Sequence, residues 1–203
     1  QKAVALIQQH FGVIPKPERE LDRTYTEEPA QDGDRMVTVR RVGDVAVAAL
    51  AYHIPSGGHP DYATVDVLTT IMASEPSGRL YEALVKRRLA AGVFGSSFAL
   101  HDPGVVLFGC QAAPGTDGTT MLQNLIETVE SAVDTPFTTE EVERARQEML
   151  RQREIQVADS QGLAIQLSEW AAQGDWRLFF IYRDRLEAVT PEDVNRVAAQ
   201  YLI

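Results

Sequence analysis

The sequence predicts an α+β fold, a largely antiparallel sheet packed by helices. Two pairs of strand-like runs, residues 36–54 and 91–112, each fold back over a turn segment, as hairpins do. These runs do not alternate one by one with helical stretches, which argues against a parallel β-α-β sheet. From about residue 118 onward the apolar spacing is helical throughout.

Taken in order, residues 1–10 have the spacing of a helix tail, with Val4, Ile7 and Phe11 on one side. The polar stretch that follows carries Pro15, Pro17 and Pro29, which forbid a long helix. Residues 1–12 are therefore expected to close a preceding domain, 13–34 to be a linker, and 35–203 to form the main domain. MVTVRR alternates, with Val37 and Val39 opposite Thr38 and Arg40, and predicts a half-buried strand. Gly43-Asp44 makes its turn. The continuous apolar run VAVAALAYHI predicts a central strand covered on both faces. Gly57 and Gly58 open a loop, and Pro60 starts a helix whose stripe is Val65, Leu68 and Met72. A second helix, SGRLYEALVKRRL, gathers Leu80, Ala83 and Leu84. Residues 91–100 and 105–112 form a hairpin around His101-Asp102-Pro103-Gly104.

Leu122, Leu125, Ile126, Val129 and Val133 then mark a helix after Asp117-Gly118. Thr138 and Glu141 have the spacing of a capping box and predict the start of a long charged helix carrying Val142, Ala145 and Met149 inward. Leu163, Leu167, Trp170 and Ala171 define another helix, stopped near Gly174, and residues 176–186 one more. Thr190-Pro191-Glu192-Asp193 is a helix start with threonine as cap and proline in the first turn. Val194, Val197, Ala198 and Tyr201 are its buried face.

The chain has 203 residues and a formal net charge of −10, so a nucleic-acid backbone is excluded as a general partner. No apolar run reaches the roughly 18 residues of a membrane span. Cys110, the single cysteine, lies in the apolar run VVLFGCQA and reads as a buried structural thiol. His10, His53, His59 and His101 lack the i, i+4 spacing of a two-histidine zinc face. His53, His59 and Asp61 bracket one loop but make no ligand set. Ser56 and Ser77 sit in glycine-bearing loops without a G-x-S-x-G elbow, and there is no P-loop. The pairs Glu27-Glu28 and Glu140-Glu141 read as solvated linker and helix N-terminus. The remaining candidate is the triplet Lys86, Arg87 and Arg88. It can bind an anionic or peptide substrate, or it can simply cap the C-terminal end of a helix dipole.

The ordered set HFGVIPKP, TEEPAQDGDRMVTVRRVGD, AYHIPSGGHPDYATVDVL, SGRLYEALVKRRLAAGV, TTEEVERARQEML and GDWRLFFIYRDRLEAVTPEDVNRVAAQYL resembles the non-catalytic domain of the pitrilysin/insulinase-type (M16 family) zinc metallopeptidases, across essentially the whole chain. The resemblance implies a repeated α+β domain, two copies to a half and two halves around a peptide chamber. It implies zinc on an H-x-x-E-H helix of the parent enzyme. This chain has no H-x-x-E-H, so it is expected to hold no metal, to be inactive alone and to scaffold the chamber. The expected partners are the preceding zinc-binding domain, the second half of the parent and a peptide substrate. Bacterial relatives imply a periplasmic or secreted parent. In the far half of such enzymes an arginine and a tyrosine grip the substrate. Their matching positions here are Val85 and about Ala91, which places the chain as the second domain of the zinc-bearing half. The alternative is an interaction module from an inactive homologue.

Overall fold

The computed structural model describes residues 2–16, 18–19, 31, 33–43 and 45–202. Of the expected linker, residues 17, 20–30 and 32 lie outside that set, as does Asp44 of the expected turn. The chain divides into two compact units, Gln1–Arg41 and Val42–Ile203.

The first unit contains helix α1, Lys2–Phe11, with no buried residue. The strand expected from MVTVRR does not form. The described residues 34–41 have no regular structure, and Met36 and Val37 are 76% and 85% exposed. Alternation makes a strand only where a neighbouring strand takes up the backbone hydrogen bonds, and no described strand pairs with these residues.

The second unit is built on three strands, β1 Val47–Ile54, β2 Ala90–Ser97 and β3 Gly104–Ala112. Both pairings are antiparallel, in the order β1-β3-β2. The expected β2-β3 hairpin is present. The expectation that VAVAALAYHI lies at the centre is corrected, because β3 holds the middle and β1 an edge. β1 alternates between exposed and partly covered residues, with Ala48, Leu50 and Tyr52 turned to the core. Its alanines make the run apolar on both faces without enough side chain to demand cover on both. β3 carries the larger residues, with Val106, Phe108 and Cys110 buried.

Helix α2, Tyr62–Ala73, lies against the sheet and is buried on nearly all sides, as an apolar helix inside a layered fold must be. The second expected helix contracts to a π-helical turn, Tyr81–Val85, in which the Lys86 amide bonds the Tyr81 carbonyl at 3.1 Å. Leu80 and Leu84 are fully buried there, as their spacing suggested. Beyond it, Arg88 adopts φ 61° and turns the chain into β2.

Five helices follow, α3 Gly118–Asp134, α4 Thr139–Ala158, α5 Ser160–Ala172, α6 Leu178–Ala188 and α7 Pro191–Tyr201. The expected capping box at Thr138 and Glu141 exists, and the helix start at Thr190 closes into a second one with Asp193. The Glu141 amide donates to Thr138 Oγ1 at 3.2 Å and the Asp193 amide to Thr190 Oγ1 at 3.2 Å. Asp117 and Asp159 cap α3 and α5. α3 and α7 join α2 in packing against the sheet, while α4, α5 and α6 pack on one another, with α4 and α6 also against α2. No described helix is long and apolar enough to cross a membrane.

Candidate functional site

Asp66 is the only ionisable carboxylate within α2. Tyr182 of α6 donates to its Oδ2 at 2.6 Å, and the Ser97 hydroxyl of β2 donates to Oδ1. Tyr62 in turn reaches the Ser97 carbonyl at 3.3 Å. Burial pushes the Asp66 carboxyl upward, against the pull of the Ser97, Tyr182 and Tyr62 hydrogen bonds. Burial also raises Tyr182, with the Asp66 charge adding to it. The group ties together helix, strand and helix.

It also forms part of the floor of a cleft of about 460 Å³ between α2, α4, α5 and α6. That volume falls within the range of ligand sites. Trp170, Tyr182 and Met149 give the floor its apolar part, with the Trp170 and Tyr182 rings 5.2 Å apart. Among the described residues, Arg153 is the only cation in the lining. Its guanidinium lies 3.8 Å from the Phe179 ring centroid and donates to the Phe179 carbonyl, and desolvation lowers its pKa.

Lys86, Arg87 and Arg88 are exposed at the joint between the π-helical turn and β2, and none of them lines this cleft. Lys86 pairs with Glu82 at 2.5 Å, an exposed i, i+4 contact. The cation that organises this region is Arg79, which the sequence reading passed over. Its Nε and Nη2 grip both Glu141 oxygens at 2.8 and 3.0 Å, and it donates to the Thr135 and Pro136 carbonyls at 2.8 and 3.1 Å. The guanidinium also lies 3.9 Å from the Phe137 ring centroid. Burial alone would raise Glu141, but the hydrogen bonds from Arg79 and the Thr138 amide outweigh it and bring the carboxyl down to about 2.

The loop bearing His59 is held structurally. Arg196 and Tyr201 of α7 donate to Asp61 at 2.7 and 3.1 Å, and the hydrogen bond from Arg196 lowers its pKa. Arg185 donates to the Gly58 and His59 carbonyls at 2.9 and 3.1 Å. His53 lies on β1 opposite Val105. A catalytic zinc needs at least three nitrogen, sulfur or carboxylate ligands. Among the described residues no group of three His, Cys, Asp or Glu side chains comes together, so these residues do not fit the metal. Cys110 is fully buried, and desolvation pushes its thiol up to about 11, which makes it unreactive.

Residues 1–149 match the family described as the Peptidase M16 inactive domain. The chain is 46% identical to the inactive peptidase domain of a protein described as a zinc protease from Bordetella parapertussis, with a TM-score of 0.75 over 82% of this chain and 91% of that one. It is 25% identical to the zinc protease PqqE of Helicobacter pylori over 99% of its own length, and it spans 46% of that relative. A protease structure from Helicobacter pylori has the same fold, with a TM-score of 0.93 at 24% identity, over 100% of this chain and 50% of that one. The periplasmic protease PqqL of Escherichia coli shares the fold at 20% identity and a TM-score of 0.76, and this chain covers 98% of itself and 22% of PqqL. The α+β fold expected from the hairpins and helices is therefore that of known peptidase domains, and the chain belongs to the M16 peptidase family as one of its inactive domains.

Proposed function

We propose that this domain is the non-catalytic partner of a zinc-bearing domain in the same parent protein, and that together they build a chamber for peptide hydrolysis. The similarity to an inactive peptidase domain over most of both chains carries the reading. The absence of H-x-x-E-H from the sequence and the poor fit of the described residues to zinc agree with it. In this role the domain supplies rigid walls rather than chemistry. α2, packed between the sheet and the outer helices, is the stiff element around which such a wall is built. Lys86, Arg87 and Arg88 would offer cations to acidic stretches of a passing peptide. The likeness to the periplasmic protease PqqL supports a periplasmic or secreted setting for the parent.

The test is direct. The purified chain is incubated with zinc and an unstructured peptide, then assayed for bound metal and for cleavage. We expect no stoichiometric zinc and no cleavage. Stoichiometric zinc uptake with chelator-sensitive cleavage would overturn the proposal.

A further inference from the structure

The cleft between α4 and α5 has polar walls that nothing in the described chain satisfies. Glu148, Gln152 and Gln156 occupy one stripe of α4, and Gln166 and Glu169 of α5, with Gln173 at its C-terminal cap, line the same space. The i, i+4 and i+3 spacings place each set on one face of its helix. None of these six side chains has a hydrogen-bond or ion-pair partner among the described residues. Neighbouring polar groups of α4 are engaged. Glu141 binds Arg79, and Glu143 binds both Arg146 and Gln147. The Gln173 amide oxygen is buried against Gly57 with no donor, which leaves its NH2 group as the end able to serve a guest.

The chemistry of the lining selects the class of occupant. Amides both donate and accept, which matches the alternating N–H and C=O groups of a peptide backbone. Two carboxylates without partners among the described residues, Glu148 and Glu169, line the cleft against one cation, Arg153, which is already engaged with Phe179. The balance favours a positively charged guest, and the aromatic floor suits the apolar stem of a lysine or arginine. From Glu148 to Gln156 the helix rises about 12 Å. That is the reach of about four residues of extended chain.

We propose that this cleft binds a short extended peptide segment carrying lysine or arginine, with Glu148 and Glu169 taking the cation and the glutamine amides taking the peptide groups. The proposal rests on the peptide-handling role above and gives it a substrate preference. It is tested by fluorescence anisotropy on the full chain at low salt, with a labelled peptide of alternating alanine and arginine and its glutamate counterpart. The arginine peptide should bind saturably and the glutamate peptide should not. The Glu148→Gln/Glu169→Gln variant should bind about tenfold more weakly with an unchanged unfolding midpoint. Glu130→Gln, which alters an exposed carboxylate of α3 outside the cleft, should not weaken binding. No saturable binding, or undiminished affinity in the glutamine variant, overturns the proposal. Displacement by spermidine with an affinity equal to the peptide's also overturns it, since the site would then recognise a small amine. The titration involves neither zinc nor cleavage, so its failure is separate from a failure of the scaffold role.

Discussion

At the scale of single residues, two carboxylates of opposite character govern how the domain responds to acid and base. Glu141 is held down to about 2 by Arg79 and its own cap, against the ordinary 4.5, so its stabilisation is complete above the ordinary value and is lost as pH falls towards 2. Asp66 behaves in the reverse sense. Its raised carboxyl favours the folded state below the ordinary 3.8, and that contribution is lost as pH climbs through the raised value. Urea unfolding between about pH 4 and 8 should therefore show Asp66→Asn gaining on the wild type as pH rises. A constant difference between the two proteins would show that Asp66 does not titrate in that window. Arg79 supplies the second contrast. Truncating it to alanine strands Glu141 and two carbonyls, and should cost about 2–3 kcal/mol, discounted from the buried-pair range because both side chains are partly exposed. Lys86→Ala, which breaks only an exposed pair, should cost under about 0.5 kcal/mol. Thermal melts of the two variants would separate them, and equal losses would refute the account of Arg79.

At the scale of elements, the SGR segment acts through its backbone as well as through Arg79. The Gly78 amide donates to the Ser74 carbonyl at 2.6 Å, and a Cβ at Gly78 would lie 2.5 Å from that same oxygen and 2.8 Å from the Ser74 nitrogen. Backbone atoms cannot swing aside, so Gly78→Ala should destabilise by about 1–3 kcal/mol in denaturant unfolding. Gly109 in β3 offers the control. A Cβ there meets the far end of the Phe94 ring, and Phe94 is 42% exposed and can shift. Gly109→Ala should cost less than Gly78→Ala, and the reverse order would contradict this reading of the two sites. The same elements show what was legible beforehand. The capping box of Thr138 with Glu141 and the N-cap at Thr190 could be read because their signals lie within three residues, while the reciprocal bond of Asp193 to Thr190 was not read. The hairpin of β2 and β3 was legible from its local turn. The position of β1 at an edge was not, because sheet order is set by pairings remote in sequence. Residues 36–41 show the converse, an alternation without a ladder to join. Arg79 and Asp66 were missed because their meaning lies in partners 62 and 116 positions away. A lone carboxylate inside the apolar helix of residues 62–73 was the available signal for Asp66.

At the scale of the whole molecule, the chain spans 46% of the curated relative it matches, so the activity is proposed to belong to a larger protein. The layered helices and sheet of Val42–Ile203 form one compact unit with a buried core from β1 to α7. The described part of that unit carries a cleft of about 460 Å³ and no cluster of metal ligands. The decisive measurement is the rate of peptide cleavage by the parent's zinc-bearing domain, prepared separately, before and after this chain is added. The scaffold account predicts little cleavage by either part alone and recovery of zinc-dependent cleavage, saturating with added chain, when the two are combined. Full activity of the zinc-bearing domain alone, unchanged by addition of this chain, would contradict it.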